Sequence, residues 1–176
     1  MTKFRKYFTI DIVIIVGFDP GLATLGYGVI EKTEKTKPRM VDYGIISTPK
    51  EENLAARLCL IEKGVKQIIE KFRPDEIAVE ELFFAKNVTT GINVAHARGV
   101  LLLTAVKECA KLYEYTPLQI KQALTGYGRA EKRQIQAMVK NTLGLKGIPR
   151  PDDAADALAV ALCHAQTNKL GKLFSI

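Results

Sequence analysis

The spacing of apolar residues changes along the chain and divides it into segments of two kinds. Residues 12–18 (Ile-Val-Ile-Ile-Val-Gly-Phe) form an uninterrupted, β-branched run, the pattern of a strand buried on both faces, and Asp19-Pro20-Gly21 ends it with a turn. Strand-like runs at 26–31 and 40–47 follow, separated by a polar stretch containing Pro38, so the first three strands read as an antiparallel meander. The period then lengthens. Leu54, Leu58, Ile61, Val65, Ile68 and Phe72 recur at steps of four and three and draw one apolar stripe along a helix, which Arg73-Pro74-Asp75 stops. A short strand at 76–80, reached through that helical crossover, is expected to run parallel to a neighbour in the same sheet.

Further along, a long helix is expected over 90–111, with Gly91 and Gly99 as weak points, then a short strand at 112–116. Pro117 suits the first turn of a short helix ending before Gly126, and a helix over 130–143 stops at Gly144. A last helix runs from Asp152 to about Asn168. The fold class is mixed α/β. The length fits one domain, expected over 12–168, with an N-terminal leader at 1–11 and a C-terminal tail at 169–176.

Composition adds a partner to this picture. The chain is 47% hydrophobic and 26% charged, enough for a packed core, and its net charge is +7. That charge is concentrated. Between residues 121 and 150 lie Lys121, Arg129, Lys132, Arg133, Lys140, Lys146 and Arg150 against the single acid Glu131, a local balance of +6 that suits a polyanion as well as a solvated surface. Cys59, Cys109 and Cys163 are far apart and set among apolar residues, the pattern of buried reduced thiols. With no paired cysteines and only His96 and His164, a zinc site is not indicated, and His164 reads as helix packing. Lys3, Arg5 and Lys6 precede an apolar stretch, but Asp11 interrupts it and the run to Phe18 is too short to span a bilayer, so a cytoplasmic protein is expected, without membrane association.

Candidate chemistry comes from acids placed where a fold would prefer apolar residues. Asp19 ends the most hydrophobic strand, at the sheet edge where open α/β proteins bind ligands. Glu80 ends the Ile-Ala-Val strand and Glu81 follows it; successive residues point to opposite faces, so only one of the two can share a site with Asp19. Asp152, Asp153 and Asp156 crowd the first turns of an otherwise apolar helix. The helix dipole accounts for Asp152 and Asp153 better than for Asp156, which shares a face with Asp153. Four carboxylates balance two Mg²⁺ ions, and such a tetrad can hold a metal pair about 3.5 to 4 Å apart for in-line attack on a phosphodiester.

The segments Gly17-Phe18-Asp19-Pro20-Gly21, Gly26-Tyr27-Gly28-Val29-Ile30, Ala78-Val79-Glu80-Glu81-Leu82-Phe83, Ala95-His96-Ala97-Arg98-Gly99-Val100, Ala130-Glu131-Lys132 and Asp153-Ala154-Ala155-Asp156-Ala157-Leu158-Ala159 resemble, in order, the successive motifs of RuvC-type Holliday-junction resolvases. The resemblance runs from about Ile14 to His164. It implies a ribonuclease-H-like fold, a five-stranded mixed sheet flanked by helices. It also implies a Mg²⁺-dependent endodeoxyribonuclease, two ions per site with Mn²⁺ able to substitute, that resolves four-way DNA junctions by paired symmetric nicks in recombination and repair. The family's metal-binding acids map onto Asp19, Glu80, Asp153 and Asp156, which leaves Glu81 and Asp152 as bystanders. Lys121 and Lys132 match lysines near the scissile phosphate, Lys132 with a catalytic role, and Phe83 matches an aromatic inserted at the junction. Arg98, Arg129 and Arg133 complete the expected DNA contacts. The resemblance further implies a homodimer, for which Leu101-Leu102-Leu103 can supply apolar surface, and a RuvA/RuvB-type branch-migration partner.

Three rival readings share parts of this pattern. A different nuclease on the same fold would act on RNA or on other branched or linear DNA. An actin-like phosphotransferase would need about twice the length and a nucleotide cleft. A non-catalytic junction-binding module would have no need of the acids.

Overall fold

The computed structural model describes residues 11–82, 88–108 and 111–167. Strands β1 (Val13–Asp19), β2 (Thr24–Lys32) and β3 (Arg39–Ser47) form the antiparallel meander, and β4 (Glu76–Glu80) and β5 (Lys111–Tyr115) extend the sheet beyond β1 in parallel, in the order β3-β2-β1-β4-β5. Helix α1 (Leu54–Phe72) makes the crossover from β3 to β4, and α2 (Val88–Lys107) the crossover from β4 to β5. Helices α3 (Pro117–Thr125), α4 (Lys132–Leu143) and α5 (Asp152–Thr167) follow β5. This is the five-stranded mixed sheet flanked by helices that the apolar pattern and the resemblance imply.

The sheet is covered on both faces, which is why β1 and β4 are apolar throughout. The strand period of two assigns Ile15, Ala78 and Tyr115 to a core shared with α3, α4 and α5, and Val16, Phe18, Ile77 and Val79 to a second core shared with α1 and α2. Helix α5 is the most deeply seated element; its residues 157–165 are all buried.

Differences from the sequence reading fall at element ends. Strand β1 extends one residue further and includes Asp19, because its ladder with β2 continues to the pair Asp19–Gly26. The second crossover helix occupies Val88–Lys107 rather than 90–111, since Lys111 is already paired with Glu76 in the sheet. Thr116 is not a strand residue. It caps α3 in a reciprocal box with Gln119, with Pro117 behind it. Arg73 stops α1 in the left-handed region, at φ 45°. The expectation for the cysteines is corrected at Cys59, which faces solvent from α1, whereas Cys163 is buried; Cys109 lies outside the described residues. So do the expected C-terminal tail and, apart from Asp11, the leader. Among the described residues no helix is long and apolar enough to cross a membrane.

Candidate active site

The site forms where the parallel strands β1 and β4 end side by side. Their register pairs Phe18 with Val79, so the next residues along, Asp19 and Glu80, stand beside each other on strands about 4.8 Å apart. Both point to the face covered by α5, where the Asp19 carboxyl, when protonated, donates a hydrogen bond to Glu80. Glu81 turns away from them.

Asp153 and Asp156 reach the same edge because α5 lies directly on the sheet backbone. A Cβ at Gly17 would lie 2.3 Å from the carbonyl oxygen of Ala157, and one at Gly26 would lie 2.0 Å from that of Asp153. Real Cβ atoms never approach so closely, so any side chain at these positions would push the helix outward. Gly26 is also the ladder partner of Asp19, which sets the first turn of α5 directly beside the end of β1.

Four carboxylates in a half-sealed edge interact strongly. Burial, and then the charges of Glu80, Asp156 and Asp153, push the Asp19 carboxyl up to about 8. Burial also raises Glu80, against the pull of its hydrogen bond to Asp19 and of the Lys121 and Lys132 charges. Asp156 is raised by burial in turn, opposed by Lys132. The cluster therefore demands a counter-charge, and Lys132 supplies one. Its Nζ lies 2.9 Å from Asp156 Oδ2 and 3.3 Å from Asp152 Oδ2. Burial works against the Lys132 charge, but these two carboxylates outweigh it and hold the ammonium above its usual range.

Among the described residues, no three His, Cys, Asp or Glu side chains close around one point as metal ligands do. The donor chemistry nevertheless fits a hard divalent cation, since all the donors are carboxylate oxygens, and a cation would relieve the repulsion that now favours protonation of Asp19.

Two clefts flank the acids. One, of about 270 Å³, is lined by Glu80 and Asp156 together with Pro117, Lys121, Lys132 and Ile135. The other, of about 510 Å³, reaches Asp153 from the opposite side and is lined by the β1–β2 turn together with Lys50, Arg57 and Asn93.

Of the site residues expected from sequence, the fold thus gathers Asp19, Glu80, Asp153, Asp156, Lys121 and Lys132. Arg129 and Arg133 are exposed on either side of Lys132. Arg98 is placed elsewhere. It projects from α2 on the other face of the sheet and is paired with Glu114. Burial lowers its pKa, opposed by the charge of Glu81. Phe83 lies outside the described residues. The second cleft, with Lys50 and Arg57, has no counterpart in the sequence reading; only the proximity of the β1–β2 turn to α1 reveals it.

The family model for the crossover junction endodeoxyribonuclease RuvC matches residues 15–164. A crossover junction endodeoxyribonuclease RuvC of Clostridioides difficile is 52% identical over 160 residues, covering 91% of this chain and 94% of that protein. One of Petrotoga mobilis is 55% identical over 152 residues, covering 86% and 93%. Among solved structures, T. thermophilus RuvC in complex with Holliday junction substrate superposes with a TM-score of 0.88 at 36% identity, covering 93% of this chain and 99% of that one.

Proposed function

The chain belongs to the RuvC family of crossover junction endodeoxyribonucleases, and on that premise we propose how its residues divide the work of resolving a four-way DNA junction. It is a ribonuclease-H-like endonuclease of recombination and repair. The observation that carries the assignment of the site is the convergence of Asp19, Glu80, Asp153 and Asp156 at one sheet edge, with the Asp19 carboxyl pushed up to about 8 by burial and its three neighbours.

In this reading the four carboxylates hold two Mg²⁺ ions, with Mn²⁺ as a substitute. When bound, the ions supply an activated water and neutralise charge on the phosphate and on the leaving oxygen. The protein's own side chains do the rest. Lys132, now held by Asp156 and Asp152, is close enough to the acids to steady the negative charge that builds up on the scissile phosphate, and Lys121 lines the same cleft. Exposed Arg129 and Arg133 extend the positive surface along the approaching strand. Arg98 acts indirectly, bracing α2 against β5 through Glu114. Phe83, three residues after Glu80 in the sequence, is assigned to stack on a base at the crossover.

A four-way junction has near two-fold symmetry, and paired cuts call for two sites related by the same symmetry. We therefore assign a C2 homodimer. Leu103 and Val106 on α2, 56% and 61% exposed, offer apolar surface for it, while Leu101 belongs to the core. A RuvA/RuvB-type branch-migration complex is the expected partner, in the cytoplasm.

The test is cleavage by the purified protein with Mg²⁺ of a synthetic four-way junction, a linear duplex and an RNA duplex of matched sequence. Symmetric nicks in two strands of the junction, with the other substrates largely intact, are expected. Comparable cutting of linear DNA or RNA would give the site to a different nuclease activity.

A further inference from the structure

The Lys121–Lys132 cleft accounts for one side of the acid cluster. A DNA strand crossing the sheet edge must also leave on the other side, where the larger cleft ends at Asp153. The β1–β2 turn, from Gly21 to Thr24, lines it. At Gly21 a Cβ would lie 2.1 Å from the carbonyl oxygen of Thr24, so the β1–β2 turn can carry no side chain there.

Into this cleft α1 sends Arg57, one helical turn after the Asn53 cap. The guanidinium is fixed through its inner nitrogen. Arg57 Nε donates to Thr48 Oγ1 at 2.8 Å, and the buried Thr48 hydroxyl in turn donates to the carbonyl of Leu22 at 2.6 Å. The Thr48 N–H donates to the carbonyl of Ala23 at 3.0 Å. Thr48, which orients Arg57, is therefore bonded at two points to the turn lining the cleft, through its hydroxyl and through its backbone N–H.

Anchoring through Nε leaves the two Nη groups free of that tether, and among the described residues Arg57 has no ion pair, although Asp153 lines the same cleft. An oriented guanidinium with no carboxylate partner is built for an oxyanion, since its planar fork matches two oxygens of a phosphate. Lys50 and Asn93 line the same cleft and add a second cation and an amide.

We propose that Arg57, supported by Lys50 and Asn93, forms a phosphate-binding subsite. It grips the cleaved strand on the Asp153 side of the acids, opposite the Lys121–Lys132 side. The proposal rests on the reading of the acids as the centre of a junction nuclease. Two grips on either side of the cut hold the strand taut across the acids and limit where the scissile phosphate can lie.

The test combines Arg57 variants with junctions carrying a neutral methylphosphonate at single positions on each side of the cut, never at the scissile phosphate. With Arg57→Ala, junction binding falls roughly ten- to a hundredfold at moderate salt, and the slope of log affinity against log salt drops by about one unit. Arg57→Lys keeps the charge and restores the slope, but cuts more slowly in single turnover because the fork is lost. One methylphosphonate position, on one side of the cut, weakens wild-type binding yet adds nothing in Arg57→Ala, the non-additivity of a shared contact. Additive losses at every position, or an Arg57→Ala protein with wild-type salt slope and cutting, overturn the subsite. If Arg57→Ala does not fold, the Arg57→Lys cutting rate and its methylphosphonate pattern decide in the same way. Wild-type protein that leaves the junction uncut would refute the nuclease reading instead, so the two failures remain distinct.

Discussion

At the scale of single residues, the acids were legible because each breaks a pattern: Asp19 after an apolar strand, Glu80 after another, Asp156 among alanines. Polar residues whose partners are remote in sequence were not. His164 reads as helix packing, but the fold inserts it into a buried chain of hydrogen bonds, 2.8 Å from Glu76 Oε2 through Nε2 and 2.6 Å from the Tyr115 hydroxyl through Nδ1, with the Tyr113 ring packed against it at 4.4 Å and tilted by 39°. No local signal joins positions 76, 115 and 164. Burial lowers the His164 pKa below its usual 6.5, although the Glu76 hydrogen bond pulls the other way. The unfolded chain therefore takes up a proton at a higher pH than the folded protein does. Stability should fall as pH drops below about 6.5 toward the folded value, and rise with pH across that window. Melting temperatures between about pH 5 and 7 check this. His164→Gln should be destabilised by about 1 to 3 kcal/mol at neutral pH and lose part of the wild-type slope. An identical slope in both proteins would remove His164 as the cause.

At the scale of elements, the order and type of strands and helices followed from periodicity, and errors gathered at ends where capping or pairing decides. The packing of α5 is a different matter. Gly17, Gly26 and Gly28 are visible in the sequence, but their purpose is not; alternate glycines in a strand become meaningful only when a helix backbone is found resting on them. That contact is what delivers Asp153 and Asp156 to Asp19. Gly26→Ala should therefore harm function more than folding. The added methyl group must displace the first turn of α5, and a shift of about 1 Å in a catalytic group can slow a reaction about a hundredfold, while overpacking costs about 1 to 3 kcal/mol. Single-turnover cutting alongside thermal melting distinguishes the two effects. Cutting at the wild-type rate by a folded Gly26→Ala protein would show that the close approach of α5 does not position the acids.

At the scale of the whole molecule, a net charge of +7 on a chain with a tightly acidic centre sets two demands against each other. In the proposed reading the basic surface from residue 121 to 150, with Lys50 and Arg57 across the site, draws in the DNA, while the acids repel it unless cations intervene. Binding and cutting should therefore be separable, and that separation is the most direct test of the account. Asp19→Asn, Glu80→Gln, Asp153→Asn and Asp156→Asn are each to be assayed with Mg²⁺ for affinity to a four-way junction and for its cleavage. Each variant is expected to bind the junction about as tightly as wild type or tighter and to leave it uncut. Wild-type cleavage by the four variants would contradict the assignment of the catalytic centre to this edge of the sheet.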